Sequence, residues 1–315
     1  MNAEVLTAAT TAPARTVKPI QWLLRRELWE HRALLTTPAI LIALILAGAV
    51  IGLVSGNRHG MLHLEMLNEE TSRALVTTSN LGIASLFAVV MPVVWLFYCL
   101  DALNAERRDR SILFWKSLPV SDLQTVLSKI VTVTVVAPLI AFAAILAAQL
   151  IALLMATGVL AANGYSPWRL WAQPALLSTS VAILYSLLVI SLWYLPVYAW
   201  LLLISAWARR SATLWALLPP VAIIIVEKIA FGTAYFLHML ANHLGTGISI
   251  AFNTSSWRFH RDMSFNEGSS DVGATLLGAL DPYRLLSSVE LWVGLALAIA
   301  LIAVTIWLRR HREPF

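Results

Sequence analysis

The sequence predicts an all-α membrane protein: six transmembrane helices, an interfacial helix before the first of them, and a charged helical loop after the second. Three observations carry that reading. Of the 315 residues, 59% are apolar and only 12% charged, whereas an ordinary soluble domain carries about 25% charged residues and covers itself with them. Mean hydropathy is +0.76, and the apolar residues fall in runs as long as the roughly 20 residues a helix needs to cross a bilayer core. Several of the thirteen Trp residues flank those runs, where amphipathic rings anchor at the membrane–water interface.

The six spans run over Thr37–Ser55, Leu81–Leu100, Ile130–Ala161, Leu176–Trp207, Leu214–Leu240 and Val289–Leu308. The third and fourth are longer than a straight crossing requires, so each is expected to tilt, kink or project past the headgroups. Pro138 and Pro196 are the candidate kink points, because proline removes a backbone donor inside a helix.

Orientation follows from the basic residues. Fifteen Lys and Arg lie in residues 1–35, in the loop after span two, in the turn after span four and in the tail 309–315. Arg58, Arg73, Arg169, Arg258, Arg261 and Arg284 make six on the other side, over longer loops. Basic residues are retained on the cytoplasmic side, so both termini are expected there. The net charge of +5 is explained by these membrane edges and calls for no nucleic-acid partner.

Cys99 is the only cysteine, which rules out an intrachain disulfide and a cysteine metal cluster. No cleavable signal peptide is expected, since the first 35 residues lack an apolar core after their basic residues. The whole chain reads as one transmembrane domain, 1–315. It divides into an N-terminal segment 1–35, a six-helix bundle 36–308 and a tail 309–315. The largest extracytoplasmic loop, 241–288, is rich in Asn, Ser and Gly and is expected to be partly structured; the loop at 56–80 is expected to hold a short helix.

Two segments at the basic side carry a mechanism. Ile20, Leu24 and Leu28 recur every four residues in Ile20-Gln-Trp-Leu-Leu-Arg-Arg-Glu-Leu-Trp-Glu-His-Arg32. Such a helix lies in the interface with its basic face toward the headgroups, as a topogenic anchor or as a contact with another subunit. In the loop 101–122, Glu106 and Arg110 are spaced for an i,i+4 pair, and Ile112, Leu113, Phe114 and Trp115 precede a stop at Leu118-Pro119. Ser121 and Gln124 then form a capping box that starts the helix into span three. This short, aromatic-tipped helix suits either docking into a groove on a cytoplasmic partner or dipping its rings into lipid.

The stretch Glu106-Arg-Arg-Asp-Arg-Ser-Ile-Leu-Phe-Trp-Lys-Ser-Leu-Pro-Val-Ser-Asp122 resembles the cytoplasmic loop of ABC-2 type transporter permeases, the membrane-spanning subunits of ABC exporters. Arg25-Arg-Glu-Leu-Trp-Glu-His-Arg32 is similar to that family's interfacial elbow helix. The six-span topology agrees along the whole chain, with residue-level likeness only in these two segments. The resemblance implies a cytoplasmic coupling helix seated on a separate ABC ATPase, which binds ATP and Mg while this chain binds no cofactor. It implies a dimer of permeases, from two copies or two paralogues, in a bacterial inner membrane. Glu106, Arg107, Arg108, Asp109, Arg110, Phe114, Trp115 and Lys116 are then the expected coupling contact, the charges orienting the docking and the aromatics filling the groove. The expected function is ATP-driven export of an apolar or amphipathic compound such as a drug, antibiotic, peptide or lipid. The alternative is mechanical or maturation work on a periplasmic or membrane partner without bulk transport.

The chain itself is not expected to be an enzyme. It has no G-x-x-x-x-G-K-[ST] to cradle ATP and no H-E-x-x-H, and no metal site is expected from its scattered histidines. An intramembrane enzyme would need several polar groups converging at one depth, and the sequence offers only Glu227 and Lys228. Those two are expected near the middle of span five, where an ionisable residue costs about 2.5–3.5 kcal/mol on insertion scales. They read either as the polar lining of a transport path or as a locally neutralised structural pair, with Gln149, Tyr185 and Tyr194 as candidate partners. Trp95, Phe97, Tyr98, Tyr185, Trp193, Tyr194, Tyr198 and Trp200 in spans two and four offer an amphipathic substrate a stacking surface, or serve as anchors and packing.

Overall fold

The computed structural model describes residues 19–54, 69–108, 121–172, 175–208, 211–252 and 277–311. These are helical nearly throughout, and among them are six helices long and apolar enough to cross a membrane. An amphipathic helix α1 (Pro19–Glu30) leads into α2 (Ala33–Val54), and α3 (Glu69–Asp101) ends in a tight corner followed by α4 (Asn104–Arg108). Next, α5 (Asp122–Val131) passes through a π-helical turn at Thr132–Val136 into α6 (Ala137–Ala162). A short α7 (Trp168–Trp171) precedes α8 (Ala175–Trp193) and α9 (Leu195–Trp207). The chain closes with α10 (Ala212–Phe231), α11 (Tyr235–Ala251), α12 (Pro282–Ser287) and α13 (Val289–His311).

The capping box expected at Ser121 is present: the Ser121 hydroxyl accepts from the Gln124 amide, and the Gln124 side chain accepts from the Ser121 amide. Both kink points also act. Pro138 has no N–H to return to the carbonyl of residue 134, and the widened π turn lies immediately before it. Pro196 sits in the first turn of α9, just past the break at Tyr194 that separates α9 from α8.

The fifth span ends earlier than its composition suggests. Gly232 takes a left-handed conformation at φ +66° and terminates α10 at Phe231. The chain restarts as α11, which runs well into the segment expected to be an extracytoplasmic loop and gives it the partial structure expected. Two donors at the α8–α9 break hold α11 in place: Trp193 Nε1 donates to the His243 carbonyl at 2.7 Å, and the Tyr194 hydroxyl to the Leu244 carbonyl at 2.6 Å. The main core packs Phe87, Met91 and Trp95 of α3 against Ala141 and Ile145 of α6 and Leu187 and Ile190 of α8, while α9 packs along α13. By contrast α10 leaves most of its apolar surface exposed.

Candidate functional site

One end of the bundle gathers α1, the last turns of α3, the corner leading to α4, the start of α5 and the C-terminal turn of α13. The charged side chains these elements carry meet in a buried cluster. Lys129 on α5 lies at its centre, with no exposed surface, and donates to Glu27 of α1 at 2.9 Å. The same ammonium stands 3.1 Å from Glu106 of α4. Glu106 also receives Arg26 of α1 at 3.3 Å on one carboxylate oxygen and Arg309 of α13 at 3.1 Å on the other. The second oxygen of Glu27 accepts from the Tyr98 hydroxyl of α3 at 2.9 Å. At the margin Arg309 Nε reaches Asp122 at 3.2 Å, and Arg26 Nε reaches Glu30 at 2.6 Å.

Local sequence explains why each group can get there. On α1 the apolar Leu23 faces inward, and Glu27 lies one turn further along the same side. Tyr98 ends a buried stripe that includes Met91 and Trp95, spaced by three and four residues. The corner after α3 is pinned from a further helix, because Ser205 Oγ of α9 accepts from the backbone amides of Leu103 and Asn104, both at 3.0 Å. That corner aims Glu106 back into the bundle. His31, at the bend between α1 and α2, packs edge-on against Tyr98 at 4.8 Å. Burial lowers its pKa, against the opposing pull of Glu27.

Desolvating an ion costs several kcal/mol, which mutual attraction recovers only when geometry is good and the remaining hydrogen bonds are made. Here each buried carboxylate meets at least one cation and a further donor. Such an arrangement gains little or nothing over a well-packed apolar one of the same volume, but losing any single partner strands a buried charge. It joins α1, α3, α4, α5 and α13 through ion pairs and hydrogen bonds. Its carboxylates are already engaged, and among the described residues no three His, Cys, Asp or Glu side chains gather where a metal ion could sit.

The residues singled out from sequence are distributed unevenly. Glu106 is 3% exposed, so it lies inside the bundle rather than on a docking face, and its buried partners are Arg26, Lys129 and Arg309 across the fold. Arg108 is exposed and pairs with Asp101 at 3.7 Å. Arg107 lies in α4, its side chain outside the described residues. Asp109, Arg110, Phe114, Trp115 and Lys116, with the stop at Leu118-Pro119, also lie outside the described residues.

Glu227 and Lys228 sit in the last turns of α10, not in the middle of a span, because Gly232 ends the helix four residues later. Glu227 caps the next helix. Its carboxylate accepts from the amides of Tyr235 and Phe236 at 2.6 and 2.9 Å and from Thr233 Oγ1 at 2.8 Å. None of the partners expected from sequence (Gln149, Tyr185, Tyr194) is involved in those bonds, and Lys228 points to the exposed side.

In the sequence, Lys129 and Arg309 count only toward membrane orientation, Arg26 and Glu27 fall in the elbow-like segment 25–32, and Asp122 closes the loop motif, with nothing to mark them as one cluster. A signal of burial was present: Glu27 occupies the apolar side of an amphipathic helix, and Lys129 and Arg309 directly abut apolar spans. Each is a charge placed where burial is hard to avoid.

The fold and this site define a multi-pass α-helical membrane protein whose spans are tied together at one end by a buried ionic cluster. No protein-family model matches the chain, and no curated protein matches it.

Proposed function

We propose that this chain is the membrane-spanning permease subunit of an ABC exporter, working with a separate ATPase that binds ATP and Mg. The observation that carries the reading is the position of Glu106. It stands at the root of the charged loop 109–120 and is bonded to α1, α5 and α13 at once. A push on that loop would move the ends of several spans together, which is what a coupling element requires.

In this reading the ionic end of the bundle faces the cytoplasm of a bacterial cell, in keeping with its concentration of Lys and Arg. Arg107, Arg108, Asp109, Arg110, Phe114, Trp115 and Lys116 remain the proposed ATPase contact, with Glu106 reassigned as the anchor behind it. A second permease, identical or paralogous, completes the complex in the inner membrane. The cargo is an apolar or amphipathic compound moved outward.

The test is a pull-down of the detergent-solubilised chain from its native host, beside a Phe114→Ala/Trp115→Ala variant that folds normally. Co-purification of a P-loop ATPase with the native chain and its loss from the variant support the reading. Absence of any ATPase under mild conditions overturns it. Retention by the variant moves the contact elsewhere on the same face. With the complex in hand, ATPase stimulation by small apolar compounds supports export, and stimulation by a protein partner alone supports mechanical work instead.

A further inference from the structure

Helix α1 sorts its charges by face. Arg25 and Arg26 are neighbours in sequence, and adjacent residues on a helix diverge by about 100°, so they leave α1 in different directions. Arg26 turns inward with Leu23 and Glu27 and is buried in the ionic cluster. Arg25 turns outward, together with Trp22 one turn before it and Trp29 one turn after it. Those two indoles are 61% and 66% exposed. The Arg25 guanidinium lies 5.1 Å from the centre of the Trp29 ring, a cation–π contact that steadies the side chain without occupying its N–H donors.

Both carboxylates of α1 are engaged elsewhere. Glu27 meets Lys129 and Tyr98 on the inner side, and Glu30 holds Arg26 at 2.6 Å. On the outer face Arg25 has no carboxylate partner among the described residues, and neither does the exposed Arg32 just past the helix end. Arg310, exposed and next in sequence to the cluster's Arg309, adds a third cation at the same end. Neighbouring elements set the depth of this face. The span α2 begins at Ala33, directly after α1 and its bend, and carries the exposed apolar Leu35 and Ile40. Lys129, which pairs with Glu27, immediately precedes the apolar run that starts at Ile130. Helix α1 therefore lies where two spans leave the hydrocarbon, at the level where exposed indoles are favoured.

We infer that the outward face of α1 binds anionic phospholipid, with Arg25 and Arg32 taking phosphodiester oxygens and Trp22 and Trp29 seated at the depth of the headgroups. A guanidinium suits that partner because its fork of donors matches two oxygens of one phosphate. A zwitterionic lipid also carries a phosphate, but its ammonium is repelled by a face whose charges are all positive, so a net negative head is preferred. The binding does not depend on the exporter reading. Arg26 and Glu27 lie between Arg25 and Trp29 in the chain, so lipid on one face and the ionic cluster on the other act on the same turns of helix. Bound lipid then stabilises the end of the bundle that the cluster ties together.

The test is native mass spectrometry of the purified full chain in a neutral detergent, without any ATPase, so that its failure and failure of the exporter reading remain distinct. Phosphatidylglycerol and phosphatidylcholine with identical acyl chains are titrated in turn. Phosphatidylglycerol is expected to bind saturably and roughly twentyfold more tightly, about fivefold for each arginine near an anionic headgroup. Arg25→Gln combined with Arg32→Gln is expected to bring the two lipids level. Trp29→Leu, which removes the ring beneath Arg25, is expected to weaken phosphatidylglycerol roughly two- to fivefold. Arg284→Gln on α12, at the far end of α13 from the cluster, removes an exposed arginine elsewhere and is expected to change nothing. Thermal unfolding checks that each variant folds, and added phosphatidylglycerol should raise the Tm of the native chain but not of the double variant. Equal affinity for the two lipids, or an equal loss from Arg284→Gln, overturns the proposal. Displacement of the lipid by inorganic phosphate makes the face a plain anion site and overturns it too. A dimer that dissociates in the double variant assigns the face to a second copy of the chain, with the same consequence.

Discussion

Lys129 on α5 donates to Glu27 on α1 across 2.9 Å, and neither side chain has any exposed surface. The two are 102 residues apart in the chain, and Glu106 shares the same ammonium at 3.1 Å. Lys129→Met would leave two buried carboxylates facing each other around an apolar side chain. Removing one partner of a buried ion pair costs about 3–5 kcal/mol. Thermal unfolding in detergent should therefore show a large drop in Tm, and adding Glu27→Gln should recover part of it, because the second change removes one of the stranded charges. A Tm within a degree or so of wild type for the single variant would mean that the cluster does not hold these helices together.

Tyr98→Phe isolates the neutral donor of the cluster. It removes one hydrogen bond to a buried charged acceptor, worth about 1.5–3 kcal/mol, without changing shape. The loss should be smaller than that of Lys129→Met, and non-additive with it, since both act on Glu27.

His31 gives the ionic end a pH dependence. Burial holds its pKa below the ordinary value, with Glu27 pulling the other way. Lys129, Asp101 and Glu30 also act on it. The unfolded chain therefore binds the proton more readily than the folded one. Stability should be complete above about pH 6.5, the ordinary histidine value, and fall as the pH drops below it. Melting curves from pH 7.5 to 5.5 should show that slope, and His31→Phe should flatten it; an unchanged slope would assign the effect to another group.

Gly247 is where α11 meets the break between α8 and α9. A methyl group there would stand 2.6 Å from Trp193 Cδ1, a distance that cannot be kept. Gly247→Ala should displace Trp193, lengthen its 2.7 Å bond to the His243 carbonyl and destabilise by about 1–3 kcal/mol, as overpacking does. The affected amides should be those of residues 235–251, read by hydrogen–deuterium exchange.

Glu227→Ala removes the carboxylate that caps α11. Faster exchange at Tyr235 and Phe236, with the six spans otherwise unchanged, is the expected outcome. If exchange instead rises throughout α10, Glu227 supports the span rather than the cap.

The residues that announced themselves in the sequence are those whose role is local. Six apolar runs, the amphipathic period of Ile20, Leu24 and Leu28, the Ser121–Gln124 box and the helix break next to Pro196 all depend on neighbours within one or two turns. A linear chain displays these directly, because partition into a bilayer and helix capping are set by nearby composition.

What tertiary structure decided is the pairing of charges and the shape of the space between helices. Glu106 sits four residues before Arg110, and that spacing suggested a local pair; in the fold its partners include Arg26, 80 residues away, and Arg309, 203 residues away. Gly232 lies inside the apolar run 214–240, yet its left-handed conformation ends a helix there, and the Glu227 carboxylate caps the next one, a pairing that composition alone does not rank. An apolar cavity lined by Phe87, Met91, Ile145 and Ile190 takes its walls from α3, α6 and α8, which are far apart in the chain. An ion under desolvation takes whichever opposite charge packing brings within reach, and packing is a property of the whole bundle rather than of any one segment.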